Sequence, residues 1–98
     1  MNPALEWKEK GNEYVKLKKY QEALDCYTKA IEYDSNNEVF YSNRSLMHNN
    51  LGNFQKAIKD AEKALSLKPD YIKAYLRKGN ALEGLKNIKK LLMHINQD

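Results

Sequence analysis

Apolar residues recur along the chain at helical spacing, which predicts helices rather than strands. The clearest stretch places them at i, i+1, i+4, i+7 and i+8, at Ala23, Leu24, Tyr27, Ala30 and Ile31. Between such stretches lie short polar segments, 34–37 and 68–70, whose Asp, Ser, Asn and Pro residues are typical of turns. The pattern therefore predicts a series of helices joined by short turns.

The pattern also repeats every 34 residues, so each unit is interpreted as one helix pair. Residues that recur at this spacing are Trp7, Tyr41 and Tyr75; Gly11, Ser45 and Gly79; Leu17, Leu51 and Leu85. The small residues in this set predict places where two helices cross closely. The first helix is expected to follow an Asn2 N-cap with Pro3 at its first position and to end near Leu17. The following helices are predicted at about 20–33, 38–50, 54–67, 71–84 and from 88 onward.

Composition narrows the function classes without choosing one. The chain has 98 residues, 42% of them hydrophobic, and a formal net charge of +4, which describes one small folded domain. It contains no apolar run of membrane-spanning length and no signal peptide, so a cytoplasmic location is expected. The single Cys26 and two distant histidines give no disulfide or structural zinc site. No phosphate-binding loop or nucleophile motif appears, so we expect neither an enzyme nor a cofactor.

The repeated residues resemble the tetratricopeptide repeat. The matching positions are Trp7, Gly11, Tyr14, Ala23 and Tyr27 in the first unit; Tyr41, Ser45, His48, Ala57, Ala61 and Pro69 in the second; Tyr75, Gly79, Leu82, Leu91 and Ile95 in the third. The family places a leucine directly before the small residue, whereas this chain has Lys10, Arg44 and Lys78, which we interpret as facing solvent. The aromatic residues at repeat positions are interpreted as core.

The resemblance implies an all-α fold, a right-handed α-solenoid of three helix pairs whose third pair is short and uncapped. Residues 1–98 then form a single domain with repeats at about 4–37, 38–71 and 72–98, the N-terminal part of a longer co-chaperone. The last unit leaves Ile88, Leu91, Leu92, Met93 and Ile95 without a following helix. We therefore expect marginal stability, or self-association through the uncapped C-terminal helix.

In this family the first helix of each pair lines a concave groove that binds peptides. Lys8 and Asn12 lie one helical turn apart, as do Lys73 and Arg77, and Asn43 precedes Arg77 by one repeat. Three cations and two amides form a receptor for anions, and charge-assisted bonds to a pair of carboxylates contribute roughly 1.5–3 kcal/mol each. The set therefore suits a peptide that ends in Asp.

These five residues further resemble the dicarboxylate clamp of co-chaperones, most of all the first repeat domain of the heat-shock-organising family, Hop. The resemblance implies a stress-response adaptor that binds the C-terminal Glu-Glu-Val-Asp tail of the seventy-kilodalton heat-shock chaperone. The ninety-kilodalton chaperone shares the terminal Asp, so the choice between them stays open. A possible pocket for upstream peptide residues comprises Val15, Leu46, Asn50 and Leu76, although packing between repeats explains its apolar members equally well.

A second hypothesis assigns binding to the basic residues outside the clamp. Lysines are spread over the turns and second helices, for example Lys18, Lys29, Lys56, Lys63 and Lys90. Such a surface is usually only solvated, but it would also attract RNA or another acidic peptide. The two hypotheses differ in the face of the repeat array that binds.

Overall fold

The computed structural model describes residues 2–95, which are helical apart from short turns and contain no strand. The five helices are α1 Pro3–Lys16, α2 Tyr20–Tyr33, α3 Glu38–Asn50, α4 Phe54–Leu67 and α5 Ile72–Ile95. The predicted bounds of the first four helices are confirmed. The predicted break between the fifth and sixth helices is wrong, because α5 runs through it without interruption.

Local chemistry sets the ends of the first helices. The Oδ1 atom of Asn2 accepts the backbone N–H groups of Ala4 and Leu5 at 3.1 and 3.4 Å, so Asn2 is the N-cap that the sequence predicts. The turns inside the first two units each contain a residue in the left-handed region, Lys18 with φ 59° and Gly52 with φ 79°. These two residues lie one repeat apart and reverse the chain between paired helices.

The third unit lacks this reversal because Lys86, the equivalent of Gly52, stays helical. A left-handed conformation costs a residue other than glycine about 1–2 kcal/mol. At Lys18 the packing of α2 against α1 offsets that cost, whereas among the described residues no later helix packs against α5 to offset it at Lys86. The third unit is therefore one helix of 24 residues instead of a helix pair. Residues 96–98 of the predicted last repeat lie outside the described residues.

Alanine and glycine set the spacing between the helices. Seven alanines are fully buried where helices cross: Ala23, Ala30, Ala57, Ala61, Ala64, Ala74 and Ala81. At Gly11 an added Cβ would lie 2.7 Å from the ring of Tyr27, and the Ser45 hydroxyl donates to the Ala57 carbonyl at 2.7 Å. The prediction of close crossings at these two positions is confirmed. It is wrong at Gly79, where nothing lies within 4 Å of an added Cβ.

One face of α5 is exposed because α5 does not fold back into a helix pair that would cover it. Tyr75 is 57% exposed, which corrects its interpretation as a core residue, and its hydroxyl donates to the Pro69 carbonyl at 3.0 Å. Ile88 and Leu92, in the C-terminal half of the helix, are 43% and 52% exposed. None of the described helices combines the length and the apolarity that a membrane span requires.

Candidate functional site

The five candidate clamp residues lie on the first helix of each unit. Lys8 and Asn12 are one turn apart on α1, Asn43 is in the middle of α3, and Lys73 and Arg77 belong to the first two turns of α5. α3 packs directly against α5. Asn12 and Lys73 are exposed, and the other three residues are half-buried. The set offers two ammonium groups, one guanidinium and two amides, which suits an anionic ligand.

Asn12 accepts a hydrogen bond from a buried residue of α2. Tyr27 of α2 is 2% exposed, and its hydroxyl donates to the Oδ1 atom of Asn12. Burial, the largest cause, and the neighbouring Cys26 together raise the pKa of Tyr27 to about 12. The hydroxyl therefore remains a proton donor at neutral pH, and the amide oxygen of Asn12 is occupied.

Arg77 is held at its backbone and partly desolvated at its side chain. The Nδ2 atom of Asn49 on α3 donates to the Arg77 carbonyl at 3.0 Å, which ties the two helices together. Arg77 Nε is buried and has no hydrogen-bond partner within residues 2–95. Burial lowers the pKa of the Arg77 guanidinium, because desolvation disfavours its charged form. A carboxylate bound to the guanidinium would favour its charged form and so offset this desolvation.

The four residues of the possible pocket fall into two groups. Val15 and Leu46 pack against a buried cluster formed by Ala23, Tyr27 and Met47. They therefore contribute to packing between the first three helices. Asn50, the last residue of α3, is exposed, and Leu76 on α5 is 55% exposed.

Sequence reasoning missed an ionic cluster between α3 and α4. Arg44 donates through Nε and Nη2 to the two oxygens of Asp60 at 2.7 and 2.8 Å, and His48 Nε2 lies 3.7 Å from the same carboxylate. Desolvation lowers the pKa of His48, while Asp60 opposes this effect. A charged residue among the alanines on the buried face of α4 was the available signal, since buried charges are paired. The interpretation of Arg44 as facing solvent is therefore wrong.

The residues equivalent to Arg44 in the other two units, Lys10 and Lys78, make more exposed contacts. Lys10 is exposed and lies 5.0 Å from the centre of the Trp7 ring. The ammonium group of Lys78 lies 3.3 Å from Glu62, in a pair whose side chains are 35% and 55% exposed. The ionic cluster thus belongs to the second unit. No three His, Cys, Asp or Glu side chains in the described part of the chain are placed to share a metal ion.

Family models for the tetratricopeptide repeat match residues 4–37 and again residues 39–71. The first TPR of Spaghetti (RPAP3), bound to the HSP90 peptide SRMEEVD, is 42% identical, and its TM-score is 0.84. That match covers 89% of this chain and 69% of the solved one. The chain belongs to the tetratricopeptide repeat family. The predicted solenoid fold is confirmed, with α5 replacing the third helix pair.

Other tetratricopeptide repeat proteins show similar agreement. The TPR2B domain of yeast Sti1, solved in complex with pHsp70, is 30% identical with a TM-score of 0.84, and the match covers 96% of this chain and 75% of that one. The Protein STIP1 homolog of Dictyostelium discoideum is 46% identical over 79 residues, or 81% of this chain. This tetratricopeptide repeat domain spans only 14% of that relative's length.

Proposed function

We propose that this chain is a non-catalytic adaptor module that binds the C-terminal Glu-Glu-Val-Asp tail of a heat-shock chaperone. Its ligand contacts are assigned to Lys8, Asn12, Asn43, Lys73 and Arg77, acting as a dicarboxylate clamp. The observation that carries the proposal is the half-buried Arg77, whose guanidinium forms no ion pair within the described residues. A terminal Asp presents two carboxylates close together, which supplies the anionic partner that this group lacks.

The similar solved domains support the ligand class. Spaghetti (RPAP3) was solved with an HSP90 peptide that ends in EEVD, and yeast Sti1 was solved with pHsp70. We propose the seventy-kilodalton chaperone as the first ligand to test, because the clamp most resembles that of the first repeat domain of Hop. Since the matched relatives are several times longer, we further propose that the domain serves as the chaperone-binding part of a longer cytoplasmic co-chaperone of the stress response.

The hypothesis of a basic binding surface receives less support. Arg44, which lines a cavity together with Lys56 and Lys59, is neutralised by its ion pair with Asp60. The positive charge around this cavity is therefore smaller than the sequence suggests. Lys56 is exposed and lies on α4, away from the helices that carry the clamp. It therefore provides a control for binding at that surface.

The proposal is tested by calorimetric titration with a peptide that ends in Glu-Glu-Val-Asp and with the same peptide amidated at its C-terminus. We expect a Kd on the order of micromolar, about −8 kcal/mol, because fixing a flexible tail costs entropy. Amidation and Arg77→Ala should each weaken binding at least about tenfold, which corresponds to about 1.4 kcal/mol. Lys56→Ala should leave the Kd unchanged. Equal loss with both variants, or equal affinity for both peptides, would contradict the clamp.

A further inference from the structure

The contact between Tyr27 and Asn12 joins the buried core of the first unit to the candidate clamp. Tyr27 lies on α2 and is 2% exposed, whereas Asn12 lies on α1 with an exposed side chain. The phenol hydroxyl donates its hydrogen bond to the amide oxygen of Asn12. An internal residue is thus hydrogen-bonded to a surface residue of the candidate clamp.

Gly11 explains how the tyrosine reaches Asn12. The ring of Tyr27 lies against the backbone of α1 at Gly11, where an added Cβ would be 2.7 Å from the ring atom Cε1. The absence of a side chain at position 11 therefore brings the phenol to the neighbouring residue. A tightly packed ring has little freedom to turn away, so its hydroxyl stays next to the Asn12 amide.

An asparagine side chain carries an acceptor oxygen and an NH₂ group with two donors, and only the NH₂ group can bind a carboxylate. Since the Asn12 oxygen is held by Tyr27, the amide nitrogen is left to donate to a ligand. We propose that Tyr27 is a positioning residue that orients the Asn12 amide so that its N–H groups face a bound carboxylate. This inference rests on the proposed function and deepens it, because it adds a buried residue to the determinants of affinity.

The other units do not reproduce this arrangement. The second unit has Leu46 and Ala61 at the two equivalent positions, so it has neither the amide nor the phenol. The third unit has Asn80 and Ile95, which supply an amide without a hydroxyl to hold it. The orienting contact therefore belongs to the first unit, which supplies Lys8 and Asn12 to the proposed clamp.

The test compares two tyrosine-to-phenylalanine variants that each lose one hydrogen bond donated by the tyrosine hydroxyl. Tyr27→Phe removes the bond to Asn12, and Tyr41→Phe removes a bond of 2.9 Å to the Ser35 carbonyl, outside the clamp. Both rings are buried and keep their packing atoms. Calorimetric titration with the peptide ending in Glu-Glu-Val-Asp should show about five- to tenfold weaker binding for Tyr27→Phe and less than about twofold change for Tyr41→Phe.

A double-mutant cycle with Asn12→Ala separates orientation from general stability. If Tyr27 acts through the amide, Tyr27→Phe should weaken binding less than about twofold further once Asn12 is alanine. An equal loss in both backgrounds would show a merely structural role and would overturn the inference. Wild-type affinity in Tyr27→Phe would also overturn it while the proposed function stands. If the wild-type chain binds neither the free acid nor the amide, the proposed function fails and this inference fails with it.

Discussion

The guanidinium of Arg44 donates two hydrogen bonds, of 2.7 and 2.8 Å, to the carboxylate of Asp60 across the interface between α3 and α4. The Asp60 side chain is 9% exposed and that of Arg44 is 22% exposed. The pair therefore lies mostly away from water. It occupies a position where the family usually places a leucine, so an ionic contact replaces an apolar one in the second unit.

Removing Arg44 should destabilise the fold strongly. Arg44→Ala leaves the buried Asp60 carboxylate without its main partner, and we expect the free energy of unfolding to fall by about 3 kcal/mol. The control is Lys78→Ala, one repeat further on, whose pair with Glu62 is more exposed than that of Arg44 with Asp60. That change should stay within about 0.5 kcal/mol. Urea denaturation of both variants measures the difference, and similar values for the two would contradict the buried pair.

His48 should make stability depend on pH. Burial lowers the pKa of His48 in the folded chain, aided by Arg44 and Lys56 and opposed by Asp60. The unfolded chain takes up a proton on this residue near the ordinary pKa of about 6.5, whereas the folded chain resists it. Stability should therefore be highest above this pH and fall progressively as the pH drops below it, down to the folded pKa. Urea denaturation at about pH 7.5 and about pH 5.5 should show a smaller difference for His48→Gln than for the wild type. An unchanged difference would contradict this role.

Two glycines of α5 should respond to alanine in opposite directions. Nothing lies within 4 Å of a Cβ added at Gly79, so Gly79→Ala should stabilise the helix by about 0.5–1 kcal/mol. At Gly84 an added Cβ would lie 2.5 Å from the Phe54 ring, so Gly84→Ala should destabilise by about 1–3 kcal/mol. Thermal denaturation measures both. If α5 were broken and folded back, Gly79 would be covered and its alanine variant would lose stability instead.

The exposed apolar residues of α5 should promote weak self-association. Leu91 and Leu92 are 62% and 52% exposed, beside other uncovered apolar side chains in the C-terminal half of the helix. Sedimentation equilibrium should show an average mass that rises with concentration. Leu92→Gln should reduce that rise, whereas Leu5→Gln, at a residue 40% exposed on α1, should not. A monomer at every concentration would contradict the expectation.

The sequence predicted the first four helices because their boundaries depend on local chemistry. Asn2 caps α1 with its own side chain, and Gly52 adopts the left-handed turn without cost. The break expected in α5 has no such local cause, since Lys86 would turn only if the following segment could pack well. Whether a helix bends there is decided by tertiary contacts, which the repeat period does not contain.

The positions of the candidate clamp residues could be predicted from the sequence, whereas the contacts that support these residues could not. Helical spacing placed Lys8 beside Asn12 and Lys73 beside Arg77 on regular helices. The bonds from Tyr27 to Asn12 and from Asn49 to Arg77 join different helices, and their existence depends on how closely those helices approach. The Arg44–Asp60 pair also joins two helices, and the charge of Asp60 on an otherwise apolar helix face was an unused sequence signal for it.

The main packing contacts of the described helices join neighbours in chain order, and α3 with α5 is the one further pair among these main contacts. An array of this kind tends to loosen from its ends, where a terminal helix is supported on one side. A tail peptide held jointly by α1 and α5 would bridge the two ends of the array. Its binding would then slow amide hydrogen exchange in both end helices together, so that the ligand would act as a removable cross-link.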